Sequence, residues 1–125
     1  WHFGGQRYQN IFVHADEIVH YCKKYNTRMC FDVSHSMLTS NHFNEDFYEF
    51  SEKIAPYTAY LHIGDSKGLN GEGLQIGDGE IDFIKLGDIL KQGCPNASFI
   101  PEIWQGHKNN GEGFWIALQK LKGIL

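Results

Sequence analysis

Apolar residues first fall into helical spacing at Ile11, Ala15, Ile18, Val19 and Cys22. Asp16 and Glu17 come early in this stretch and Lys23 and Lys24 late, as a helix dipole prefers, so a helix is expected over residues 10–24. Residues 1–9 are aromatic and glycine-containing without any period, and read as a loop. The run 28–33 is short, apolar and followed by a Ser/His/Thr/Asn-rich stretch, which fits a buried strand and the loop that leaves it. Phe43, Phe47, Phe50 and Ile54 form a second helical stripe, stopped by Pro56. A second strand is expected at 58–63, then a long glycine-rich loop over 64–79. Asp82 caps a helix carrying Phe83, Leu86, Ile89 and Leu90, which Gly93 and Pro95 close. A third strand follows at 98–103, with Pro101 removing one backbone donor from it. After a loop over 106–113, Trp115, Leu118, Leu121 and Leu125 line a last helix.

Strands alternating with helices argue for parallel βα units with right-handed crossovers. Candidate ligands at the strand ends recur after about 30 and about 40 residues, as in a (β/α)8 barrel of about 250 residues. The fold expected is therefore α/β: about three to four βα units from the C-terminal part of a TIM barrel, with residues 1–125 as one partial domain. A small open α/β sandwich is the alternative. The open side of such a partial barrel would leave apolar strand edges uncovered, so self-association, or pairing with a missing N-terminal half, is expected.

Composition narrows the partners. A formal charge of −4 with acidic and basic residues interspersed offers no basic face for nucleic acid. No apolar run approaches the roughly 20 residues that span a bilayer, and residues 1–7 lack the layout of a signal segment, so no membrane partner is expected. Cys22, Cys30 and Cys94 show none of the close spacings of a zinc ribbon or disulfide scaffold, and read as reduced core thiols of a cytoplasmic protein.

The candidate chemistry sits where each apolar run ends. Met29-Cys30-Phe31 leads into Asp32 and His35, Ala59-Tyr60-Leu61 into His62, Asp65 and Lys67, and Phe99-Ile100-Pro101 into Glu102. Two carboxylates and one imidazole at successive strand ends would meet at one face of a barrel, and suit a divalent ion such as Mn²⁺, Co²⁺, Mg²⁺ or Zn²⁺ with positions left for water or substrate. His35 is in reach of the same mouth, either to orient a substrate hydroxyl or as a further ligand. Asp65 is a candidate to hold His62 from behind, and Lys67 to meet a substrate oxygen or phosphate; a plain surface ion pair is the other reading of these two. Glycines 68, 71, 73, 77 and 79 would allow backbone approach to an anion. His107, beside Gly106, is a candidate substrate contact, whereas His14 and His20 read as structural.

At these residues the chain resembles the xylose isomerase-like barrels, a group of sugar and sugar-phosphate isomerases and epimerases with the endonuclease IV type of DNA-repair enzymes as cousins. The resemblance is carried in order by Phe31-Asp32-Val33-Ser34-His35, Leu61-His62-Ile63-Gly64-Asp65-Ser66-Lys67, Gly77-Asp78-Gly79-Glu80-Ile81-Asp82 and Pro101-Glu102-Ile103. It implies Asp32, His62 and Glu102 as ligands of a divalent metal, His35 as a substrate contact, and Glu102 doubling as catalytic acid/base on a sugar or sugar phosphate through an enediolate. The group uses one more glutamate, which would fall just before Trp1, so this chain alone is expected to be inactive. Endonuclease IV enzymes carry an Asp-Arg-His motif where this chain reads Gly71-Glu72-Gly73, so a phosphodiesterase is the second choice. A non-catalytic sugar-binding or assembly module of a longer polypeptide is the third.

Overall fold

The computed structural model describes residues 2–3, 6–7 and 12–125. Three parallel strands form the centre: β3 (Met29–Asp32), β4 (Thr58–Ile63) and β7 (Ser98–Pro101), in the order β3-β4-β7. Before them, β1 (His2–Phe3) pairs antiparallel with β2 (Gln6–Arg7), where the sequence suggested a loop. Helix α1 (Ala15–Tyr25) starts five residues later than its apolar spacing implied; residues 10 and 11 of that stretch lie outside those described.

Register explains the two faces of the sheet. Phe31, Leu61 and Phe99 are aligned across the strands and point to the helices, where Phe31 and Leu61 are buried. The Phe31 ring packs 6.4 Å from Phe47 and 6.3 Å from Phe50, both on α3 (Phe47–Ile54). Helix α3 ends in a short 3₁₀ turn through Pro56. Because side chains alternate along a strand, the other face carries Cys30 beside Tyr60 and Ser98, and one step further Asp32 beside His62 and Ile100. This face is open: Cys30 and Ile100 are exposed. Cys30 is thus no core thiol, whereas Cys22 and Cys94 are buried. The sheet is unclosed and flanked by helices on its apolar side, as expected for part of a TIM barrel.

The helices are set by caps. Asp46 accepts from Tyr48 and Glu49 amides at the start of α3, and Asp82 from Ile84 and Lys85 amides at the start of α4 (Phe83–Gly93). The Asp82 amide donates to the Tyr48 hydroxyl, and Lys85 Nζ lies 4.0 Å from the Tyr48 ring centre, so the two helix starts are fastened together.

The structure departs from the sequence expectation in three further places. The polar stretch after β3 is helix α2 (Val33–Phe43), which takes in Phe43 and ends at left-handed Asn44. The glycine-rich segment is a hairpin, β5 (Asp65–Lys67) against β6 (Gly71–Leu74). The last helix, α5 (Lys108–Leu121), begins within the expected loop, kinks at Asn109, Asn110 and Gly111, and ends before Leu125. Its Lys120 ammonium donates to the Ile76 carbonyl, and the Gln75 amide to Gly113, tying α5 to the segment after the hairpin. Among the described residues no helix is long and apolar enough to cross a membrane.

Candidate metal centre

Asp32 ends β3 and starts α2 at the same time. Its Oδ1 accepts the His35 amide at 3.0 Å, the bond of a helix N-cap, which turns the chain sharply while leaving the carboxylate at the sheet's C-terminal edge. His62 is aligned with Asp32 on the neighbouring strand. Glu102 lies just past the end of β7, and its amide still donates to the Ile63 carbonyl at 2.8 Å, so strand geometry reaches it despite Pro101. Gly64 makes that approach possible, since a Cβ there would stand 2.5 Å from the Glu102 carbonyl oxygen.

The three candidate ligands do converge. One donor atom from each of Asp32, His62 and Glu102 lies within 4.8 Å of the others. His62 Nδ1 is 2.9 Å from Glu102 Oε2 and 4.0 Å from Asp32 Oδ2. Donors bound to one ion at about 2.0–2.2 Å stand at most about 4.4 Å apart, and the His62–Glu102 and His62–Asp32 separations both fall within that span. Two carboxylates and an imidazole are a donor set that divalent Mn, Co, Mg or Zn accepts. The residues fit a metal.

His35 is held between two acids. Its Nδ1 lies 2.6 Å from Asp32 Oδ2 and its Nε2 2.9 Å from Glu72 Oε2. The bond to Asp32 outweighs the burial that opposes it and, with Glu72, raises the imidazole to about 9, so it is protonated at neutral pH. Burial pushes the Asp32 carboxyl up, but the hydrogen bonds from the His35 ring and amide and the positive charge of His35 and His62 prevail and hold it below the usual carboxylate range.

Around these groups opens a cleft of about 580 Å³, within the range of small-molecule sites. Asp32, His35, Glu72 and Glu102 form one part of its lining, and Trp104 and His107 another. Glu72 was not legible as a site residue; its signal is a lone carboxylate between two glycines of a loop facing Asp32-x-x-His35.

Two expectations fail. Asp65 neither touches His62 nor pairs with Lys67. It is fully buried, and its carboxylate accepts amide hydrogens from Ser66, Gly77, Gly79 and Ile81 at 2.8 to 3.2 Å. The Gly77 and Gly79 amides therefore cradle the chain's own Asp65 and are not available to a phosphate. Lys67 is exposed on the hairpin and does not line the cleft.

An unclosed parallel sheet whose strand ends gather two acids and a histidine beside a cleft defines an α/β part-barrel with a candidate divalent-metal centre. The family model described as Xylose isomerase-like TIM barrel matches residues 2–122, and the chain belongs to that family. Among curated proteins none matches it.

Proposed function

We propose that the chain carries the metal-binding and acid/base groups of a divalent-metal-dependent isomerase or epimerase of sugars or sugar phosphates. The observation that carries this reading is the convergence of Asp32, His62 and Glu102 beside the cleft. Asp32, His62 and Glu102 would hold the ion, which when bound would polarise neighbouring carbonyl and hydroxyl oxygens of a sugar.

The chain's own residues would do the rest. Glu102, half exposed at the end of its strand, is the proton carrier. Its carboxylate takes the proton from the carbon beside the carbonyl, the C–H electron pair moves into a new C=C bond, and the carbonyl oxygen takes up charge to give the enediolate. Returning that proton to the former carbonyl carbon, while the neighbouring hydroxyl passes its proton to the oxyanion and becomes the new carbonyl, isomerises the sugar. Epimerisation requires a second group on the opposite face. Trp104, 71 % exposed in the cleft lining, offers an aromatic face to the sugar's C–H bonds, and His107 a hydrogen bond to its far hydroxyls or phosphate.

The test is solvent exchange. Because exchange of a single C–H proton needs only one carboxylate, Mn²⁺-supplied protein incubated with aldoses, ketoses and their phosphates in D₂O should incorporate deuterium at the carbon beside the carbonyl even where full turnover is lost, and Glu102→Gln should abolish it. Metal-dependent nicking of abasic-site DNA without any such incorporation would instead place the chain with the endonuclease IV type of phosphodiesterase.

A further inference from the structure

Asp32 is steered by a chain of contacts that begins on another element. Both of its oxygens are engaged by one residue: Oδ1 by the His35 amide and Oδ2 by the His35 ring. The ring is fixed in turn at its far nitrogen by Glu72. Each ring nitrogen thus has a carboxylate oxygen within hydrogen-bond distance, one from Asp32 and one from Glu72. His35 is thereby committed to orienting its neighbours.

Glu72 is well placed to be the fixed end of this chain. It sits on β6, and the residue after it is clamped from two sides: the Gly73 amide donates to Ser34 Oγ at 2.9 Å, and the Gly73 carbonyl accepts the Trp104 amide at 2.7 Å. Ser34 is buried at the start of α2. The hairpin is therefore anchored to the helix that Asp32 caps and to the loop that follows Glu102. Asp65, by contrast, is oriented by four backbone amides and needs no such help.

We propose that Glu72 is a positioning residue that sets the orientation of the Asp32 carboxylate at the metal centre through the His35 ring. This rests on the triad being a metal site. Removing the partner that fixes a ligand-orienting group typically costs 10–100-fold in metal affinity, so Glu72→Ala should weaken Mn²⁺ binding by about 10-fold while the fold stays intact by circular dichroism. Glu72→Gln keeps an acceptor for the Nε2–H and should recover most of that loss; a Gln variant as weak as the Ala one would contradict positioning by hydrogen bonding.

A second readout needs no metal. In the chelated full chain labelled with ¹⁵N-histidine and ¹³C-aspartate, Glu72→Ala should lose the protected Nε2–H signal of His35 and shift the carboxyl resonance of Asp32. Wild-type affinity together with unchanged His35 and Asp32 signals in Glu72→Ala would overturn the inference. If the wild type itself binds no Mn²⁺, the metal reading fails. The resonance comparison then decides the relay alone: a shifted Asp32 signal sustains it, and an unshifted one overturns it.

Discussion

Asp32 ends strand β3 and Asp65 opens the hairpin just past the end of strand β4, and these two aspartates have opposite fates. Asp65 is fully buried, and its ligands are four backbone amides delivered by its neighbour and by the glycine-containing segment that curls around it. Asp32 remains partly exposed, and apart from one amide its partners are side chains that can move or exchange a proton: His35 and, at 4.0 Å, His62. A carboxylate whose acceptor sites are filled by backbone is committed to architecture. One whose partners are imidazoles beside a cleft can exchange them for an ion.

If that contrast holds, substitutions at the two positions should separate stability from metal binding. The largest effect is expected for Asp65→Ala. It leaves four amides without their acceptor, and since each buried orphan donor costs about 1–3 kcal/mol, urea unfolding should show a loss of at least about 3 kcal/mol. A loss below 1 kcal/mol would mean that water or rearrangement replaces the carboxylate. Next comes Gly79→Ala, whose added methyl group would run into the Asp65 carboxylate and the Ser66 carbonyl. Overpacking of this kind costs about 1–3 kcal/mol, and a lowered urea midpoint at unchanged slope would report it. Asp32→Ala removes a helix N-cap, worth about 1 kcal/mol, together with the bond to the His35 ring, worth about 1 kcal/mol more, and should cost about 2 kcal/mol in all, measured in the same way with a chelator present.

The smallest effect is the pH dependence of the Asp32–His35 pair in the metal-free protein. The His35 imidazole is raised from 6.5 to about 9, so its contribution is complete below pH 6.5 and is lost as pH rises through about 9. The Asp32 carboxyl is lowered from 3.8, so its contribution is present above 3.8 and disappears as pH falls below it. The pair should therefore add most between pH 3.8 and 6.5. Thermal midpoints of wild type and His35→Gln should converge as pH approaches 10; a constant gap across that range would contradict the assignment.

Much of this was legible in the sequence where local chemistry and tertiary packing agree. Strand β4 and the Asp82 cap of α4 fall where the apolar run and the N-cap signal put them. The three strand-end residues that converge, Asp32, His62 and Glu102, were legible for the same reason, because each apolar run stops at one polar residue. Helix α2 was hidden: Val33–Phe43 is rich in Ser, His and Asn without a continuous apolar stripe, and it is held by the Asp32 cap and by buried Ser34, whose hydroxyl donates to the Asp65 carbonyl and accepts from the Gly73 amide. The hairpin was hidden because glycines 68, 71 and 73 carry no alternating pattern. Asp65 was misread because a glycine-rich stretch shows that backbone amides are free to converge, not which anion they converge on. Glu72 acquires its meaning only when the hairpin folds it against His35.

The central claim is that Asp32, His62 and Glu102 bind one divalent ion together, and calorimetric titration of chelator-stripped protein with Mn²⁺ and Zn²⁺ tests it most directly. The account predicts one site per chain, and its loss in each of Asp32→Ala, His62→Ala and Glu102→Ala without loss of fold. A folded wild-type chain that binds neither ion, or variants that bind as well as the wild type, would contradict it.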